Sequence, residues 1–238
     1  MRRTNPYIVL LTDGSGSTGH SRIDLSQKLI ADAGAELLIA GYFAEPELYS
    51  MMLRGETRRL TELVDELAAQ IVDKNISIVV CDAVEGYHPV HDLCLPLTQA
   101  ALKVAGKSTA ARIAHYEYRV IGDPRADVGH REDLQLRLDE VMLSEKIESS
   151  RRYAAQSGSV LMQEVQYMFD TYGESSFRFE VFQTAGTEHP QLYDGLRYYE
   201  LRGEEQVKSG RYKQVLRHAL HMQPIEAALQ LYVDRAMH

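Results

Sequence analysis

Short apolar runs alternate with amphipathic stretches along the first half of the chain. A run of consecutive β-branched and aliphatic residues predicts a strand that is buried on both faces. Apolar residues at helical spacing predict helices between these runs, the clearest at about residues 57–74. The predicted strands lie at residues 7–11, 37–43, 76–81 and 112–121. This alternation predicts an α/β fold with a Rossmann-like, mostly parallel sheet flanked by helices.

The pattern changes after about residue 125. Residues 131–170 are charged and helical in pattern, and residues 177–183 alternate as one short strand. A further helical stretch toward the C-terminus is broken near Pro224. We therefore predict a Rossmann-like α/β domain over residues 1–125 and a mainly helical C-terminal portion over residues 126–238, packed on it.

Composition narrows the class of partner. The chain has 238 residues and a net charge of −8, which argues against a nucleic-acid backbone or an anionic membrane surface as partner. No apolar stretch is long enough for a membrane span or a signal peptide. Cys81 and Cys94 are too few for a disulfide framework and indicate a reducing compartment. We expect a cytoplasmic protein with a small-molecule substrate, and composition leaves assembly into homo-oligomers open.

A glycine-rich loop follows the first predicted strand in the sequence LLTDGSGSTGHSR. Gly14, Gly16 and Gly19 fit the spacing G-x-G-x-x-G of a dinucleotide-binding loop. That use also requires an acidic residue at the tip of the next strand, and the nearest acid, Glu45, lies beyond it. Asp13 directly precedes the first glycine, where its charge would repel a pyrophosphate. A dinucleotide-dependent enzyme is therefore only the third function considered, and a flexible loop of small residues is the alternative.

The second candidate site is the segment DAVEGYHPVHD, residues 82–92, which directly follows a predicted strand. Ligands of open α/β sheets gather at the carboxyl ends of strands. His88 and His91 lie three residues apart there, among the carboxylates of the same segment. A neutral imidazole suits zinc, and a second one can stabilise an oxyanion or move a proton. The alternative is a polar surface loop whose histidines cap the following helix.

Four other residues are weaker candidates for the site. His218 and His221 repeat the H-x-x-H spacing, but they lie in a predicted helix beside Arg217 without a nearby carboxylate, so we predict a solvated helix face. Cys94 falls on a predicted apolar helix face and is predicted to be a core residue. His20, in the glycine loop, is a further candidate to join the site.

Several segments, taken in order, resemble the PIG-L/LmbE-like zinc deacetylases, which remove acetyl groups from N-acetylglucosaminyl conjugates. LLTDGSGS resembles the family's second strand and its T-D-G loop, and GYHPVH resembles the G-x-HPDH motif. An arginine-bearing helix of the family resembles SRIDLSQKLIADAGAE, and the strand after its histidine motif resembles ARIAHYEYRVIGDPR. A later segment of the family resembles SEKIESSRRYAAQ. The resemblance covers most of residues 7–157.

The resemblance implies a set of site residues and a cofactor. Zinc would be the cofactor, with His91 as a metal ligand, and His88 would stabilise the oxyanion. Tyr87 would donate a hydrogen bond to the substrate, and Arg22 takes the place of the family's substrate-binding arginine. We count Asp13 with the catalytic residues, facing a polar substrate across the same cleft.

The chain also departs from the family pattern. The motif A-H-P-D-D-E, which supplies two zinc ligands and the aspartate general base, has no counterpart, and Val90 stands where the histidine motif has an aspartate. In the family the strand with the missing motif is central, so its absence predicts an unpaired apolar sheet edge. A start upstream, a different closure of the sheet or a partner would each account for this. Asp13, Asp82 or His20 would then have to substitute as ligands.

Two main functions follow from this interpretation. The first is a zinc-dependent hydrolase that deacetylates an N-acetylated amino sugar or glycoconjugate, with its activity impaired or lost in this chain because the first metal motif is missing. The alternative is a non-catalytic module that binds a sugar or a nucleotide sugar in the same pocket.

Overall fold

The computed structural model of the chain describes residues 6–16, 19–125, 133–186 and 195–238. The fold is mixed α/β, and the described strands form two sheets. The chain divides into two compact units. Unit 1 comprises Met1–Tyr49, Gly122–Val128 and Gln135–Glu180, whereas unit 2 comprises Ser50–Ile121, Gly129–Leu134 and Val181–His238. None of the helices in these described ranges is long and apolar enough to cross a bilayer.

Unit 1 is built on two parallel strands joined by a helix. Strand β1 (Tyr7–Thr12) leads through the glycine loop to helix α1 (Ile23–Asp32), and strand β2 (Glu36–Phe43) returns beside β1. Helix α2 (Glu45–Arg54) follows directly. Gly41 in β2 has a φ of +67°, and a Cβ there would lie 3.0 Å from the Cα of Asp13, so only glycine fits this close approach.

The rest of unit 1 is a helical hairpin with a short strand. Helices α5 (Glu140–Ser157) and α6 (Ser159–Tyr172) pack on each other around Leu143, Ile147 and Phe169. Strand β5 (Leu134–Arg137) precedes them, and strand β6 (Phe179–Thr184) follows. Just beyond β5 and just before β6, the backbone N–H of Leu138 donates to the carbonyl of Arg178 over 2.8 Å. This bond holds the ends of the two strands side by side.

Unit 2 places two parallel strands under a layer of helices. Strand β3 (Ile78–Asp82) runs parallel to strand β4 (Ala114–Tyr118), which pairs antiparallel with the end of β6. Helix α3 (Arg58–Asp73) packs on helix α4 (Pro89–Ala105), which in turn packs on helix α8 (Gln223–Met237). Helix α7 (Tyr198–Lys208) lies between β6 and α8 in sequence.

The amphipathic faces of these helices supply the core of unit 2. Helix α3 buries residues at helical spacing, and α8 buries a second such stripe. The buried residues of the two helices are Leu60, Leu63, Val64, Ala68, Ile71, Ile225, Leu229 and Val233. The apolar periodicity of the sequence therefore marks the residues that pack inside.

The structure confirms the predicted α/β class and places a strand or helix in each of the main predicted segments. The finer Rossmann-like arrangement and the predicted boundary near residue 125 stay predictions. The first strands of the two units, β1 and β3, are less buried than expected. In β3, Ile78 is 52% and Val80 is 43% exposed. Among the described residues, β1 pairs only with β2, and β3 only with β4. The unpaired edge that the family resemblance implies stays a prediction.

Two local features were not predicted. Helix α2 was not predicted, although Leu48, Met51 and Met52 are buried at helical spacing. Helix α4 begins at Pro89, so Pro96 lies inside it. A helix tolerates an interior proline only at the loss of one backbone hydrogen bond, so packing of α4 must outweigh that loss.

Candidate functional site

The candidate site lies where β3 passes into α4. Asp82 is the last residue of β3, and His88 is the N-cap of α4 with an extended backbone (φ −136°, ψ 125°). This conformation follows from the sequence, because the residue before a proline is driven to extended geometry and proline is favoured at the first helical position. The motif HPVH therefore sets one histidine at the N-cap and the other, His91, in the first turn.

The two histidines lie together, and one of them contacts a carboxylate. The ring centroids of His88 and His91 are 5.0 Å apart at an interplanar angle of 76°. Nδ1 of His91 lies 2.6 Å from Oδ2 of Asp82, and both side chains are partly exposed. The structure therefore brings two of the predicted site residues together and adds Asp82 to them.

The electrostatic surroundings shift the pKa values of the two histidine rings in opposite directions. Burial, with a smaller contribution from His91, lowers the pKa of His88 to about 4, so this ring is neutral at pH 7. Burial also opposes protonation of His91, but the hydrogen bond and charge of Asp82, aided by Glu85 and Asp92, outweigh it and raise the pKa of His91. His91 is therefore the ring that takes up a proton first.

Asp92 locks the loop that carries the histidines. Its Oδ1 accepts the backbone N–H groups of Glu85 and Gly86, each over 3.0 Å, and its Oδ2 accepts Nη1–H of Arg197 over 2.7 Å. Asp92 is only 2% exposed, and burial raises its pKa despite these partners. The sequence left open whether Asp92 bonds to His91 or faces solvent. In the structure it does neither, because it ties the loop to Arg197 at the N-cap of α7.

A second carboxylate and a ring stack complete the loop. The buried Glu85 carboxylate accepts the N–H groups of Val120 and Ile121 over 2.8 and 3.1 Å. Tyr87 stacks on Tyr198 with centroids 4.9 Å apart and planes 8° apart. The loop is thus held at its base by carboxylates and at its tip by an aromatic contact. The predicted hydrogen bond from Tyr87 to a substrate stays a prediction.

Asp13 organises the glycine loop of unit 1. Its Oδ1 accepts the N–H and the hydroxyl of Ser15 over 3.0 and 2.7 Å, and the N–H of Glu45 over 3.0 Å. Burial alone would raise the pKa of Asp13, but these hydrogen bonds outweigh it and lower the pKa. The Glu45 carboxylate accepts the N–H of Gly16 over 3.1 Å. Two carboxylates therefore use the donors that a pyrophosphate would need.

Arg22 belongs to the same loop. It precedes α1, and its Nε–H donates to the carbonyl of Gly14. Asp13 and Arg22 thus lie in unit 1, whereas Tyr87, His88 and His91 lie in unit 2. The catalytic role of Asp13, the substrate contact of Arg22 and the cleft predicted to join them to the histidines stay predictions.

The second H-x-x-H pair does not form the solvated helix face that was predicted. His218 and His221 lie in a π-helical turn before α8, and His221 is buried. Nη2–H of Arg197 donates to Nε2 of His218 over 2.9 Å, and Nδ1 of His221 accepts the N–H of Arg217 over 2.7 Å. The prediction was wrong because the helix is interrupted before Pro224, and the interruption turns both rings toward polar partners.

The residues around His91 do not make up a zinc site. Cys94, in the next turn of α4, has its Sγ 3.4 Å from the carbonyl of Val90 and 3.9 Å from Oδ2 of Asp82, and burial holds the pKa of its thiol well above the ordinary value. Across the described ranges, no group of three or more His, Cys, Asp and Glu side chains is arranged to hold a metal ion. A catalytic zinc takes three protein ligands. The described residues around His91 therefore do not supply the three ligands of such a zinc, and the implied cofactor stays a prediction.

Sequence reasoning missed two residues that shape the site and the contact that a third one makes. Arg197 and Tyr198 lie more than a hundred residues from the loop they contact. Asp82 was named as a nearby carboxylate and a substitute metal ligand, but not as the partner of His91. The only sequence signal for Asp82 was its position at the end of a predicted strand. No family model, no curated protein and no solved structure matches the chain. The site must therefore be interpreted from its own geometry.

Proposed function

We propose that this chain is a PIG-L/LmbE-like hydrolase that removes the acetyl group from an N-acetylated amino sugar or glycoconjugate. The observation that carries the proposal is the convergence of His88 and His91 at the carboxyl end of β3, with His91 on a carboxylate. Two imidazoles with opposite pKa shifts are suited to separate roles in one reaction.

His91 is the general base in this proposal. Its neutral ring takes a proton from water as the water oxygen attacks the acetyl carbonyl, and a tetrahedral intermediate forms. The protonated ring then gives that proton to the departing nitrogen as the C–N bond breaks. The products are acetate and the free amine. The raised pKa of His91 makes its neutral ring a stronger acceptor for the proton of the water.

His88 is the oxyanion stabiliser. Because burial keeps its ring neutral at pH 7, a ring N–H can donate to the carbonyl oxygen as negative charge develops there. Tyr87, the preceding residue, would hold the sugar by its hydroxyl. The lock formed by Asp92 limits the motion of this segment, which favours a preorganised site.

One observation favours the non-catalytic binding module as a second candidate. Tyr198 is stacked flat on Tyr87 and is still 37% exposed, which leaves aromatic surface beside the histidines. An aromatic body with a polar tip suits contact with a sugar, which has both apolar and hydroxyl surface. A module of this kind would bind an amino sugar or nucleotide sugar without releasing acetate.

An acetate-release assay separates the two functions. The purified protein is incubated with N-acetylglucosaminyl conjugates, and free acetate and free amine are measured together. We expect both products from the wild type and a loss of about 100-fold or more for His91→Ala, because a general base contributes about 10²–10⁴-fold. His238→Gln, at the exposed C-terminal residue, is the matched control and should not change the rate. Saturable sugar binding without either product would instead support the binding module.

A metal arm tests the cofactor that the resemblance implies. The same assay is run on protein treated with a chelator and again after zinc is restored, and bound zinc is measured in each sample. Acetate release that survives the chelator supports the two-histidine mechanism. Release that is lost with the metal and returns with zinc would overturn that mechanism, although the protein would still be a deacetylase.

A further inference from the structure

The contact between Asp82 and His91 fixes which ring nitrogen carries the proton. Oδ2 of Asp82 is 2.6 Å from Nδ1 of His91, within the range of a strong hydrogen bond. A carboxylate can only accept a hydrogen bond, so Nδ1 is the nitrogen that bears hydrogen. The lone pair of the neutral ring is then on Nε2.

Both partners are held by regular structure. Asp82 ends β3 in register with Tyr118 of β4, and the N–H of the next residue, Ala83, donates to the Tyr118 carbonyl over 2.9 Å. His91 lies in the first turn of α4, where the adjacent Asp92 anchors the preceding loop. The contact therefore joins the end of a strand to the start of a helix. Groups held in this way keep their geometry better than groups on a loop.

The residue before His91 cannot supply a carboxylate, and Asp92 after it is bonded to Glu85, Gly86 and Arg197. Val90 has no hydrogen-bonding side chain and is buried. Cys94 also approaches Oδ2 of Asp82, but at 3.9 Å, and its Sγ is closer to the carbonyl of Val90. His91 is thus the principal side-chain donor to Asp82 that the geometry provides.

We infer that Asp82 is the positioning residue of His91: from the end of β3 it fixes the Nδ1–H tautomer and aims Nε2 at the reacting water. That the water reacts rests on the proposed function, whereas the tautomer itself is a property of the folded chain. A histidine that lacks such an acceptor is free to change tautomer and ring orientation. Asp82 therefore supplies the acceptor that orients His91, which Val90 cannot supply.

The tautomer can be measured without any substrate. Protein labelled with ¹⁵N at histidine is studied by long-range ¹H–¹⁵N correlation above the pKa of His91, and the resonance is assigned by its loss in His91→Gln. We expect the Nδ1–H pattern in the wild type and in Asp82→Asn, whose amide oxygen can still accept. Asp82→Ala should show the Nε2–H form or a mixture of the two. Asp73→Ala, at the exposed end of α3 in the same unit, is the matched control and should keep the wild-type pattern.

The rate of acetate release gives the second measurement. We expect kcat to fall by about 10–100-fold in Asp82→Ala with little change in KM, the range known for the loss of a partner that orients a metal-binding histidine. Asp82→Glu should restore part of the loss, because a carboxylate is again within reach.

The outcomes separate the inference from the proposed function. A wild-type ring in the Nε2–H form, or an Nδ1–H form that persists in Asp82→Ala, overturns the inference even if acetate is released. The expected tautomers without acetate release uphold the positioning role of Asp82 and overturn the proposed deacetylation.

Discussion

The glycine loop of unit 1 and the histidine loop of unit 2 are both held in shape by an aspartate, but they differ in burial and in the side chains they carry. Each follows a parallel strand, and in each an aspartate accepts two or more donors, Asp13 in the first and Asp92 in the second. Asp13 has only uncharged donors and is partly exposed, whereas Asp92 is buried against Arg197. In the glycine loop, backbone N–H groups donate to the carboxylates of Asp13 and Glu45. In the histidine loop, backbone N–H groups also donate to a carboxylate, that of Asp92. This loop carries in addition the ring nitrogens of His88 and His91, which can exchange protons or donate hydrogen bonds.

The difference in burial between the two aspartates predicts the largest effect. Asp92→Ala would leave the Arg197 guanidinium and two buried N–H groups without their acceptor. Removing one partner of a buried ion pair costs about 3–5 kcal/mol, so we expect the free energy of unfolding in urea to fall by about that amount. Asp92→Asn should cost less because its amide oxygen can still accept the N–H groups. A loss below about 1 kcal/mol in Asp92→Ala, similar to that in Asp73→Ala, would show that the lock contributes little.

The long-range partners in this lock explain where sequence reasoning stops. Helix α3 and the strand–helix alternation were predictable because apolar spacing is local and strong over sixteen residues. The bond between Asp92 and Arg197 spans 105 positions, and no local pattern encodes such a pair. Helix α2 was missed for another reason: it has only ten residues and follows β2 directly, so its apolar repeat is short.

The same limit applies inside the candidate site. The spacing of His88 and His91 was visible in the sequence, and the alternative of a surface loop placed them where they would cap the following helix. Their contact with Asp82 depends on how the strand end meets the first turn of α4, which is a tertiary property. The sequence therefore predicted which residue types would carry the chemistry, but not the carboxylate that orients one of them.

The burial of His88 predicts how stability changes with pH. Its pKa is about 4 in the folded chain and near 6.5 when unfolded, so the unfolded state binds the proton first as pH falls. This residue therefore contributes nothing above pH 6.5 and lowers stability progressively from pH 6.5 to 4, by about 2 kcal/mol at pH 5. His91 acts in the opposite direction, since its pKa is raised. We expect the free energy of unfolding between pH 7 and pH 5 to fall less in His88→Asn than in the wild type. Equal losses in both proteins would contradict the burial of His88.

The glycine loop should respond less than the histidine loop to loss of its aspartate. Asp13→Ala removes an acceptor for three donors, but water can reach this partly exposed loop and replace part of the loss. We expect the free energy of unfolding to fall by about 1–2 kcal/mol, the scale of a lost cap or a net hydrogen bond to a charged group. Glu145→Ala, an exposed position on α5 of the same unit, is the matched control. A loss as large as that of Asp92→Ala would remove the contrast between the two loops.

The smallest effect concerns dinucleotides at the glycine loop. A ligand at 100 times its Kd stabilises a protein by about 2.7 kcal/mol, so thermal unfolding with millimolar NAD⁺ or NADP⁺ is a sensitive test. We expect no shift in Tm, because Asp13 and Glu45 both direct carboxylates at the donors of this loop. A double change, Asp13→Asn with Glu45→Gln, removes both negative charges and keeps the acceptors. If repulsion alone excluded the cofactor, the double variant would gain a saturable shift, whereas a shift in the wild type would mean that the loop binds phosphate despite its acids.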